Sequence, residues 1–219
     1  MKIPKEINVD HFRVAIFGSA RITPNNPRYH QVELLAKMIA EEGMDIVTGG
    51  GPGIMEAAAK GHKEGRKKNP NVQSYGLNIK LPKEQTPNKH LDIKKEFGIF
   101  TERLDYFMEL SNVVVVAPGG IGTLLELFYT WQLVQVKHTC KIPIILMGPM
   151  WPELIAWMEK WPLGRRMISP EDMHIIFLAD HCKQAMKIIK TTYEEHKKGS
   201  PDFCKRYTEY RLKNQSKNK

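Results

Sequence analysis

The sequence predicts an α/β protein: a mostly parallel sheet with helices on both faces. Short runs rich in Val and Ile alternate with longer stretches of helical periodicity. The runs are nearly continuous in apolar character, as expected of strands covered on both sides. Glycine-rich turns follow the first, second and fourth runs, where such sheets place their ligand-binding crevice.

Phe12–Phe17 is the first strand expected, and Gly18-Ser19-Ala20 ends it. Gln31–Glu42 follows as a helix with Val32, Leu35, Ala36, Ile39 and Ala40 on one face and Gly43 as its stop. Asp45–Thr48 is a second strand, closed by Gly49-Gly50-Gly51-Pro52-Gly53, and Ile54–Lys67 a second helix. Val72–Ile79 reads as a strand and Lys80–Asn88 as a loop punctuated by Pro82 and Pro87. Glu102–Leu110 is a helix expected to be capped by Thr101, Val113–Ala117 a strand, and Thr123–Val136 a helix after the turn Pro118-Gly119-Gly120. Ile142–Met147 and His174–Leu178 complete the strands, with Glu153–Trp161 and His181–Lys197 as the closing helices. No repeat or internal boundary interrupts this alternation, so residues 1–200 are read as a single domain and 201–219 as a flexible basic tail.

The 219 residues are 42% hydrophobic and 26% charged, a soluble globular composition. No apolar run approaches the roughly 18 residues of a membrane span, and Met1–Glu6 lacks the apolar core of a signal peptide. The three cysteines form no CxxC pair and the eight histidines show no HExxH spacing. Neither a disulfide framework nor a metal site is expected, and the composition fits a cytoplasmic protein. The net charge is +9, yet residues 183–219 alone carry 11 Lys and Arg against 4 Asp and Glu. Such a tail reads as a solubilising extension, not a nucleic-acid surface.

Pro118-Gly119-Gly120-Ile121-Gly122-Thr123-Leu124-Leu125-Glu126 is the most informative stretch. A buried strand ends in a glycine turn that presents a helix N-terminus, with its free N–H groups and positive dipole end, beside a Thr hydroxyl and a carboxylate. That combination suits chemistry on a phosphorylated sugar or nucleotide. GxGxxG and a Walker lysine are both missing, which argues against hydride transfer and P-loop ATP hydrolysis. Each feature also has a plainer reading. Thr123 and Glu126 match a capping box; Arg103 could pair with Glu102 or Asp105 on its own helix; and the Gly49–Gly53 run could be a tight strand-to-helix turn.

Together, Gly49-Gly50-Gly51-Pro52-Gly53-Ile54-Met55 and the 118–126 motif resemble the paired GGGxxGxM and PGGxGTxxE signatures of the Lonely Guy family. These are cytokinin riboside 5′-monophosphate phosphoribohydrolases, often mislabelled lysine decarboxylases. The resemblance runs from about Val14 to Met147, takes in Gly76-Leu77-Asn78 and Phe100-Thr101-Glu102-Arg103, and with Glu84-Gln85 and Asn88 is similar to the longer, bacterial branch. It implies a Rossmann-like fold, Arg103 and Glu126 as the catalytic pair, and no cofactor. Gly18, Ser19 and Ala20, then Gly49, Gly50, Gly51, Gly53 and Met55, and finally Gly119, Gly120, Gly122 and Thr123 are implied as substrate contacts.

The implied activity is hydrolysis of the N-glycosidic bond of a purine nucleoside 5′-monophosphate, AMP or a prenylated AMP, to free base and ribose 5-phosphate. The implied assembly is a homo-oligomer, dimer or hexamer, for which the aromatic helix Phe128–Trp131 is a candidate contact. Two positions depart from the family pattern: Leu104 stands where lysine is common and Leu125 where an acid is common. They keep open the alternative of a nucleotide-binding or sensing protein with little turnover.

Overall fold

The computed structural model describes residues 11–80, 86–138 and 142–199. The basic tail 201–219, the loop residues Pro82, Glu84 and Gln85, and Cys140 and Cys204 lie outside the described residues. Cys182 is buried and free.

Seven strands form one sheet: β1 (Arg13–Phe17), β2 (Asp45–Thr48), β3 (Ser74–Ile79), β4 (Ile93–Phe97), β5 (Val113–Val116), β6 (Ile144–Met147) and β7 (Ile176–Ala179). Their spatial order is β4-β3-β2-β1-β5-β6-β7, and every pairing is parallel. The helices are α1 (Pro27–Glu41), α2 (Ile54–Gly65), α3 (Phe100–Leu110), α4 (Ile121–Gln135), α5 (Trp151–Met158) and α6 (Cys182–Lys197). A π-turn over Glu159–Leu163 extends α5, and a 3-10 turn over Pro170–Met173 leads into β7.

The strand residues alternate between two cores because successive side chains point to opposite faces. Ala15, Phe17, Val114, Val116, Ile144 and Leu146 pack with α3, α4 and α5. Val14, Ile16, Val113, Val115, Ile145 and Met147 pack with α1, α2 and α6. Double burial explains why β5 can be four consecutive valines. The chain winds outward from β1 in both directions, so the order reverses between β1 and β5, and the loops after those two strands flank the switch point.

Three expectations need correction. β4 was not foreseen: Ile93-Lys94-Lys95-Glu96-Phe97 carries three charges, but it is an edge strand whose exposed positions tolerate them. It pairs parallel to β3 although residues 80–92, which connect the two, contain no helix among their described members. Thr101 does not cap α3; Ile99 occupies that position, without a side-chain cap bond. Thr123 does not start α4 either. The helix begins at Ile121 with Gly120 as its uncapped N-terminal residue, so the capping box between Thr123 and Glu126 is not formed.

Candidate active site

Three loops meet at the carboxyl edge of β1, β2 and β5, and hydrogen bonds stitch them together. The Ser19 amide donates to the Pro118 carbonyl at 3.1 Å, and the Ile54 amide donates to the Ser19 carbonyl at 3.0 Å. Gly18-Ser19-Ala20 is thereby held between the start of α2 and the turn before α4. A Cβ at Gly53, which caps α2 with φ +69°, would run into the Ser19 and Ala20 backbone. At the turn before α4, Thr123 is buried with its side chain packed against Gly119. Gly120, Ile121 and Gly122 are exposed. The first amides of α4 have no helical acceptor, so they face this edge as donors with the positive end of the helix dipole behind them.

Arg103 reaches the same edge from the first turn of α3. Its Nε donates to the Leu77 carbonyl at 2.6 Å and its Nη1 donates to Glu126 Oε1 at 3.2 Å. The guanidinium carbon lies 5.0 Å from the centre of the Phe107 ring, which backs it from the core. Gly49 makes room for this arrangement: a Cβ there would stand 2.5 Å from Arg103 Nη2 and 2.7 Å from Met55 Sδ. Of the partners considered for Arg103, neither Glu102 nor Asp105 takes it; the phenol of Tyr129 donates to Asp105 instead.

Burial dominates the electrostatics of the pair. The Glu126 and Arg103 side chains are only 12% and 9% exposed. Loss of water pushes the Glu126 carboxyl up to about 7, even though the adjacent guanidinium pulls the other way. Burial likewise draws Arg103 below its ordinary value, with Glu126 opposing. A carboxyl that titrates near neutrality, held on a fixed arginine next to a row of free amides, can carry charge or move a proton at physiological pH.

All the residues expected at the site therefore reach one edge, but in different postures. Gly18, Ser19, Ala20, Gly49, Gly53, Met55 and Arg103 are in mutual contact or joined through one neighbour, whereas Gly120 and Gly122 stand open to solvent. Gly50 and Gly51 are buried, their carbonyls accepting from Asn88 Nδ2 at 3.1 and 3.0 Å. Asn88 and Asn78 both fall in stretches that carry the family resemblance, which gives neither a role; the Asn78 side chain lies against Gly50. An amide inside an otherwise apolar strand was the available signal. Trp131 is buried and donates to the Asp172 carbonyl at 2.7 Å, while Phe128, stacked parallel on it, is exposed. Among the described residues no cluster of His, Cys, Asp or Glu could hold a metal ion, and no helix is long and apolar enough to cross a membrane.

Comparison with known proteins places this edge in context. The family model described as possible lysine decarboxylase matches residues 55–189. The pyrimidine/purine nucleotide 5′-monophosphate nucleosidase of Escherichia coli K12 is 26% identical over 141 residues, 62% of this chain and 31% of that protein. The cytokinin riboside 5′-monophosphate phosphoribohydrolase of Mycobacterium tuberculosis is 32% identical over 88 residues, 39% of this chain and 46% of that protein. The chain thus spans less than half the length of either relative. Among solved structures, the molybdenum cofactor carrier protein of Chlamydomonas reinhardtii superposes with a TM-score of 0.62 at 23% identity, covering 84% of this chain and 99% of that one. The molybdenum cofactor binding protein of Rippkaea orientalis gives 0.60 at 21%, covering 84% and 98%. Both share the Rossmann-like fold.

Proposed function

The chain belongs to the family described as possible lysine decarboxylases, the Lonely Guy family, and on that premise we propose that it is a nucleoside 5′-monophosphate phosphoribohydrolase. The observation that carries this reading is the buried Arg103–Glu126 pair beside the uncapped start of α4. The 5′-phosphate sits on the free amides at the start of α4 and the Gly119-Gly120 turn before it, which anchors the substrate away from the bond that breaks. The ribose lies over Glu126. As the C1′–N bond breaks, its electron pair leaves with the base and positive charge grows on the sugar ring. Ionised Glu126 stabilises that charge and takes a proton from the water that attacks C1′. The departing base gains a proton, and the products are free base and ribose 5-phosphate. Arg103 fixes the carboxylate in position through its planar fork of donors.

Decarboxylation of lysine fits the residues poorly. Pyridoxal phosphate requires a lysine amine at the site to form its Schiff base. The described loops that form the edge (residues 18–20, 49–55 and 118–126) contain no lysine. Lys80, at the end of β3, is exposed and pairs with Glu96 at 3.6 Å.

AMP and N6-isopentenyl-AMP are the proposed substrates, and the protein works as a homo-oligomer. Incubating it with each nucleotide and resolving the products by chromatography tests the reading. Adenine or prenyladenine should appear with ribose 5-phosphate and vanish in Glu126→Ala. If AMP binds but neither AMP, the prenylated nucleotide, nor GMP, IMP and the pyrimidine monophosphates are cleaved, the chain is a nucleotide sensor instead.

A further inference from the structure

We propose that Asn78 reads the base of the bound nucleotide, an inference that rests on the functional reading above. Asn78 is the fifth of the six residues of β3 and is 91% buried, with its side chain against Gly50 in the loop after β2. Its Oδ1 has no hydrogen-bond partner. Turning the amide over would only exchange an orphan acceptor for an orphan donor.

Asn88, which touches the same loop after β2 from the connection between β3 and β4, shows what a structural amide looks like here. Its Nδ2 donates to the Gly50 and Gly51 carbonyls and its Oδ1 accepts from the His90 amide at 3.1 Å. Asn88 holds the loop; Asn78 does nothing comparable. A buried amide oxygen left unpaired is costly to the fold, and a ligand that satisfies it accounts for its presence. The backbone is fitted closely to it: Gly50 has φ +74°, and a Cβ there would collide with the Asn78 amide.

Sheet order says which end of the nucleotide arrives. The phosphate site at the start of α4 follows β5, and Asn78 lies on β3, three strand spacings away. At about 4.8 Å per spacing that is about 14 Å, so the base and not the phosphate is the part that reaches it. An asparagine amide matches the N6 amino group and N7 of adenine, accepting from one and donating to the other. A 6-oxopurine offers two acceptors along the same edge and cannot satisfy both halves of the amide. The structure therefore assigns Asn78 as a specificity determinant that favours 6-aminopurine over 6-oxopurine nucleotides.

The test compares AMP with inosine 5′-monophosphate as substrates for wild type, Asn78→Ala, the near-isosteric Asn78→Leu, and Asn88→Ala. Wild type should prefer AMP. Both Asn78 variants should raise KM for AMP by about tenfold with kcat changed less than about threefold, and bring the ratio of kcat/KM for the two nucleotides close to one. Neither should lower Tm, since no hydrogen bond is lost, whereas Asn88→Ala should. An AMP preference that survives both Asn78 substitutions, or that wild type never shows, overturns the proposal while the hydrolase reading stands. If wild type cleaves no nucleotide, calorimetry with AMP decides: binding weakened by both Asn78 substitutions keeps the base contact and removes only the hydrolase, and binding that is absent or insensitive to them overturns the contact as well.

Discussion

At the scale of single residues, Glu126 is where the physical chemistry is most exposed. Its carboxyl is raised from 4.5 to about 7, mainly by burial. If the ionised form assists departure of the base, kcat/KM for AMP should rise with pH through a midpoint near 7 and level off above it. A pH–rate profile of the free enzyme reads this directly. Stability should move the opposite way. Between about 4.5 and 7 the folded chain holds a proton at Glu126 that the unfolded chain has released, so this group's contribution falls as pH rises through that window and is constant above it. The loss amounts to at most about 3 kcal/mol. Denaturation curves from pH 5 to 8 should therefore slope more steeply for wild type than for Glu126→Gln, in which that proton is absent. The two departures from the family pattern also separate at this scale: Leu104 is 4% exposed and Leu125 is 46% exposed. Leu104→Lys places an amine where the chain has an apolar side chain, and should cost about 1–3 kcal/mol in urea denaturation.

At the scale of elements, the site depends on where helices start. Thr123, Leu124, Leu125 and Glu126 carry the pattern of a capping box, yet α4 begins two residues before Thr123. Glu126 is thus no longer at the position from which it would reach back to a capping backbone, and its carboxylate turns to Arg103 across the gap between α3 and α4. The glycine loop after β2 sets the other half of that geometry. Gly49→Ala needs no unusual backbone angle, but its Cβ must displace the end of the Arg103 side chain. Turnover should drop by about tenfold or more while Tm shifts by only a few degrees, because a flexible side chain yields more readily than backbone. Activity measured alongside a melting curve separates the two effects. β4 makes the converse point. Its charged residues conceal a strand from any pattern based on burial, because an edge strand needs only its backbone bonds to β3 and one covered face.

At the scale of the whole molecule, the outward face of α4 stands out. Ile121, Leu125, Phe128 and Val136 are exposed at helical spacing along it, a stripe that one chain leaves in water. We expect this stripe to be the contact between copies. Leu125→Asp combined with Phe128→Asp should then convert an oligomer to a monomer in analytical ultracentrifugation, with the far-UV circular dichroism unchanged.

What the sequence determined by itself was the alternation of strands and helices, the parallel sheet, and the convergence of three glycine turns on one edge. Those follow from local periodicity and from the rule that loops at the carboxyl ends of parallel strands share one side. Arg103 and Glu126 could be paired by resemblance, but their direct contact could not be read from the sequence. Tertiary structure decided that a carboxylate with a ready partner in its own helix turn would pair with a residue 23 positions away. It also decided that Asn88 would be saturated and Asn78 left bare. Hydrogen bonding and desolvation depend on what surrounds a group in space, and neighbours across a sheet edge leave no trace in the spacing of residues along the chain.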